Sequence, residues 1–81
     1  MTSRVAIIGI IIDDNSMAEQ VNNILHDYAA YIIGRMGLPY PEKNLNIISI
    51  AIDAENNTIN TLTGKIGKLP GVSARAVYSI K

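Results

Sequence analysis

Apolar residues run without a polar break from Val5 to Ile12, and Gly9 is the one position in that run with no side chain. A run of this length without alternation predicts a strand covered on both faces. Gly9 within it suggests a close backbone approach or a bulge. Ser16, with Glu19 three residues on, has capping-box spacing: the hydroxyl accepts from the third helical N–H and the carboxylate reaches back. Apolar positions then fall at Met17, Val21, Ile24, Leu25 and Tyr28, one stripe of a helix. A second strand is expected around 31–36, within the stretch from Ala29 to Gly37. Beyond it, Pro39 and Pro41 are expected to forbid regular ladder pairing.

The same order then repeats. Residues 45–52 form a third mostly apolar run, interrupted only by Asn46 and Ser49. Asp53, Glu55, Asn56 and Asn57 read as a turn leading to a second helix that opens near Thr58. Ile59, Leu62, Ile66 and Leu69 mark the stripe of that helix. Lys65 and Lys68 sit toward its C-terminal end, where the helix dipole favours cations. Pro70-Gly71 stops it, and a last strand follows within 72–80.

The order βαββαβ predicts an α+β, ferredoxin-like fold: a four-stranded antiparallel sheet with two helices on one face. Right-handed crossovers place the first and third strands in the centre, which agrees with their being the most apolar. The 81 residues are expected to form one domain, near the lower end of what a single core stabilises.

Helices on one face leave the other face open, yet the central strands are apolar on both. One parity of the first strand carries Val5, Ile7 and Ile11, and the other carries Ala6, Ile8, Ile10 and Ile12. The third strand carries Ile48, Ile50 and Ile52 on one side, Leu45 and Ile47 on the other. Burying half a dozen such side chains is worth on the order of 10 kcal/mol before entropy costs. A monomer would leave this patch exposed. The pattern therefore predicts a homo-oligomer, a dimer or tetramer, in which two-fold packing covers the open face or extends the sheet.

Composition narrows the chemistry. Hydrophobic residues make up 48% of the chain, with Ile abundant and Phe, Trp and Cys absent. The lack of cysteine removes disulfides, thiolate metal sites and a Cys nucleophile. Seven basic and seven acidic residues cancel, which argues against direct nucleic-acid binding, because that requires a cationic face. The run from Val5 to Ile12 ends in Asp13-Asp14 without a small-residue cleavage pattern and is too short to span a bilayer. A soluble cytoplasmic protein without membrane contact is the expectation.

Few residues advertise a reaction. His26, the single histidine, has no His or Cys to share a metal with and reads as a surface or hydrogen-bonding residue. Asp53 and Glu55 lack EF-hand spacing. Gly64-Lys65-Ile66-Gly67 lacks both the spacing and the hydroxyl residue of a phosphate-binding P-loop; the two glycines, one turn apart, suggest close helix packing instead. No catalytic residues, metal site or cofactor are expected, and the chain reads as non-enzymatic. The loop Asp13-Asp14-Asn15-Ser16 follows a central strand and opens a helix, a place where backbone N–H groups and a positive dipole end meet small anionic ligands. Its two carboxylates oppose an anion and suit an ammonium group or a cation, and the plain alternative is a turn followed by a cap. The candidate ligand-binding residues are Asp14, Asn15, Ser16 and Met17 of one subunit, meeting residues of a neighbour.

Three segments carry a resemblance over nearly the whole chain: Gln20-Val21-Asn22-Asn23-Ile24-Leu25-His26, Arg35-Met36-Gly37-Leu38-Pro39, and Leu62-Thr63-Gly64-Lys65-Ile66-Gly67 running into Pro70-Gly71-Val72. The chain resembles a small ACT-like family of regulators of the iron-only hydrogenase system, related to amino-acid-sensing ACT domains and to the C-terminal domain of the nickel-responsive regulator. The resemblance implies a regulatory oligomer with effectors held at subunit interfaces, near the loop after the first strand. At that loop the chain carries Asn15 and Ser16 where amino-acid-sensing domains carry a glycine. It also cannot supply the several His and one Cys of the nickel site. The alternative is a structural or adaptor protein that acts through homo-oligomer and protein contacts, with no small ligand.

Overall fold

A computed structural model describes residues 2–80. Strand β1 (Arg4–Ile12) leads to helix α1 (Ala18–Asp27), strands β2 (Ile32–Tyr40) and β3 (Leu45–Ala54), helix α2 (Asn56–Gly67) and strand β4 (Val72–Tyr78). Short 3-10 turns occupy Asn15–Met17, Ala29–Tyr31 and Pro41–Lys43. The sheet order is β2-β3-β1-β4 and every pairing is antiparallel. This is the ferredoxin-like α+β fold, with β1 and β3 in the centre as the apolar pattern requires.

Alternation along the strands separates the two faces. On β1, Ala6, Ile8, Ile10 and Ile12 are buried, whereas Val5, Ile7 and Ile11 are exposed. On β3, Ile48, Ile50, Ile52 and Ala54 join the buried set. Val21 and Leu25 from α1 and Ile59, Leu62 and Ile66 from α2 close this core from one side, with Met17, Ile24, Tyr28 and Leu69 partly buried around it. Each fully buried Ile or Leu contributes roughly 1.5–3 kcal/mol relative to exposure.

Several local expectations are corrected. Residues 29–31 form a 3-10 turn rather than strand, and β2 continues through Pro39, which pairs with Asn46. Pro39 is tolerated because β2 is an edge strand, so a missing N–H on its outer side breaks no ladder. Ser16 makes no capping box: α1 begins at Ala18, and its N-cap Met17 has no side-chain cap bond. Helix α2 begins at Asn56, ahead of Thr58. Gly9 is neither bulged nor closely approached; it pairs in register with Ser49 and Arg75, with open space where a Cβ would stand. The sheet irregularity lies in β2, between Ile32 and Gly34. A Cβ on Gly67 would meet Ala74 only at 4.0 Å, and Gly64 has open space around it, so neither glycine marks a tight approach.

Candidate functional site

The loop between β1 and α1 is held by its own hydrogen bonds. The Asp14 carboxylate accepts from the Ser16 N–H at 3.0 Å and from the Ser16 hydroxyl at 2.7 Å. These bonds, the hydroxyl first and the backbone N–H second, hold the Asp14 carboxyl below its ordinary value. The Asp14 carbonyl also accepts from the Met17 N–H at 2.9 Å, closing the 3-10 turn. Asn15 uses both ends of its amide: Nδ2 donates to Asn44 Oδ1 at 3.1 Å, and Oδ1 accepts from Asn46 Nδ2 at 2.7 Å. Asn44, in the left-handed conformation at φ 57°, ends the turn that brings β3 back beside this loop.

Next to the loop, on the helix side of the sheet, lies a trough of about 290 Å³ between α1 and β2. It exists because the middle one of the helix-facing positions of β2 is a glycine. Pro39, Gly37 and Arg35 pair with Asn46, Ile48 and Ile50, and nothing stands where a Gly37 Cβ would be. Ala18 on α1, together with Ile12 and Ile48, supplies apolar lining. Arg35 and Asn22 lie at one end, where Arg35 Nη2 donates to Asn22 Oδ1 at 2.5 Å. Asn46, tied to Asn15, also lines it. Arg35 makes no ion pair among the described residues, so most of its guanidinium donors are uncommitted.

Of the four residues expected to bind a ligand, Asp14, Asn15, Ser16 and Met17, none lines the trough. They sit at its rim, linked to it through the Asn15–Asn46 bond. Arg35, Asn22 and Asn46 escaped the sequence reading because Arg35 and Asn22 meet only when β2 folds back beside α1. The available signal was Gly37 two residues after Arg35, an unfilled position on the same face of a strand. Other candidates remain apart: His26, Asp53 and Asn56 are exposed on the surface. No group of three or more His, Cys, Asp or Glu that could hold a metal occurs among the described residues.

The fold and this rim-and-trough arrangement define a small ferredoxin-like domain with a ligand-sized recess beside the first helix. The model of the TM1266-like family, described as "Iron-only hydrogenase system regulator, putative", matches residues 4–76. The chain belongs to that family. It is also similar to a solved structure described as that of uncharacterized protein TM1266 from Thermotoga maritima, at 35% identity and a TM-score of 0.91, covering 98% of this chain and 99% of that one. No curated protein matches the chain. No helix among the described residues is long and apolar enough to cross a membrane.

Proposed function

We propose that residues 1–81 act as a single ACT-like regulatory domain. It is non-enzymatic and cytoplasmic, and it works as a homo-oligomer that binds a small effector. Its family supplies the context, a regulator of the iron-only hydrogenase system. The observation that carries the effector reading is the α1–β2 trough, where an apolar lining meets the guanidinium of Arg35 and the side-chain amides of Asn22 and Asn46. A guanidinium with free donors favours a carboxylate, which it can engage through two parallel bonds. The ligand class is therefore a small carboxylic acid with a short apolar body. In this reading Asp14, Asn15, Ser16 and Met17 stand at the rim, where a neighbouring copy closes over the bound molecule. Regulation then follows from population shift, because the ligand favours the assembly that it binds better.

The test is thermal unfolding of the wild type and of Arg35→Gln against a panel of small carboxylic acids. Binding at a hundredfold excess over Kd stabilises by about 2.7 kcal/mol, so at least one acid raises the wild-type Tm and fails to raise that of the variant. Indifference of the wild type to every acid would reject the effector reading. It would favour the adaptor alternative, which the exposed apolar sheet face supports independently.

A further inference from the structure

The sheet face opposite the helices carries three successive cross-strand rows. The first is Leu38, Ile47, Ile11 and Ser73; the second Met36, Ser49, Gly9 and Arg75; the third Gly34, Ala51, Ile7 and Val77. Ile7 is 51% exposed, Met36 56%, Leu38 52% and Val77 71%. We infer that two copies of the chain associate by stacking these faces, one sheet against the other. The inference goes beyond the proposed function: this contact lies on the face opposite the trough and is distinct from the copy that closes over the trough's rim.

Four observations point to a second copy. The chain exposes 5274 Å², whereas a compact monomer of this size exposes roughly 4,800 Å². Four strands about 4.8 Å apart and some eight residues long give a face of roughly 500 Å² in projection. Corrugation by side chains raises the accessible area of two such faces toward the roughly 1,200–2,000 Å² of stable pairs. Charge does not oppose self-association: the net charge is zero, and Arg75 and Asp53 on this face are of opposite sign.

The fourth observation is a hollow of about 400 Å³ over Gly9, bordered by Ile11, Ile47, Ser49, Ser73 and Arg75. Gly9 interrupts a strand that is otherwise aliphatic, and this chain has no side chain of its own to fill the space above it. A facing copy supplies one, since packed sheets interdigitate across about 10 Å. Extending the sheet through the β2 or β4 edge would leave this face and its hollow uncovered, so stacking is the mode inferred.

The test is sedimentation velocity of the wild type and Ile7→Glu at micromolar concentration, with circular dichroism to confirm folding. A wild-type dimer and a folded Ile7→Glu monomer are expected. Because the chain has no cysteine, a second measurement is available if Ile7→Glu does not fold. Ser49→Cys on the open face should be joined to its copy by a bismaleimide of about 10 Å reach, and Gln20→Cys on α1 should not. A monomeric wild type, a dimeric Ile7→Glu, or cross-linking at Gln20→Cys alone would overturn the inference. The trough lies on the opposite face, so the two failures are distinguishable. A monomer that still responds to carboxylates keeps the trough as a ligand site and rejects this contact, and an unresponsive dimer keeps this contact and rejects the ligand site.

Discussion

Gly71 and Asp14 are pressed together where β4 begins. Gly71 has a φ of +69°, and a Cβ built on it would lie 2.7 Å from the Asp14 Cβ and 3.2 Å from the Asp14 nitrogen. The neighbouring Asp13 N–H donates to the Gly71 carbonyl at 2.7 Å. The turn after α2 thereby fixes the loop after β1, which borders the candidate site. Glycine is required twice over here, by the left-handed backbone and by the space.

Gly71→Ala is therefore expected to destabilise the protein. The backbone strain alone costs of order 1–3 kcal/mol, and the contact with Asp14 adds to it. Urea unfolding of the two proteins checks this; a midpoint unchanged by the substitution would contradict the packing described.

Asp14 gives the loop a pH dependence of defined sign. Its carboxyl is held below the ordinary 3.8 by the two Ser16 hydrogen bonds, so the folded state favours the charged form. That contribution is fully present above pH 3.8 and is lost as pH falls through the lower folded value. Unfolding of wild type and Asp14→Asn between neutral and strongly acidic pH should show the gap between the two curves narrowing at the acid end. A constant gap would show that the carboxylate charge contributes nothing.

The two parities of the central strands should respond differently to truncation. Ile50 is fully buried between the sheet and the helices, and Ile50→Ala is expected to cost about 2–5 kcal/mol. Val5 on the open face is 44% exposed, and Val5→Ala should cost well under half as much within one chain. Equal losses would mean that the faces are assigned wrongly.

Pro39 lies on the outer strand β2, paired with Asn46 on one side only. Pro39→Ala should leave thermal stability nearly unchanged while adding a free N–H donor to the sheet edge, where exposed donors invite another chain to pair. Light scattering during heating should then show earlier aggregation of the variant. A large loss of Tm instead would contradict the tolerance of Pro39 as an edge-strand residue without a ladder bond to lose.

Long-range order was legible in the sequence because period-two and period-3.6 patterns are strong in this chain. Val5 to Ile12 marked a central strand, and the spacing of Val21 and Leu25 marked the buried stripe of α1. Local chemistry was less legible. Ser16 and Glu19 have capping-box spacing, but Asp14 is closer to the Ser16 hydroxyl and N–H and takes both. Pro39 suggested a strand end because sequence alone does not say which side of a strand is unpaired. The trough stayed hidden for a related reason. Arg35 and Asn22 are thirteen residues apart, and only the return of β2 alongside α1 makes them neighbours.

Native mass spectrometry of protein purified gently from its expression host tests the regulatory account most directly. The account predicts a multimer that carries a small extra mass, and it predicts that Arg35→Gln assembles without that mass. A bare monomer, or an adduct that Arg35→Gln retains unchanged, would contradict it.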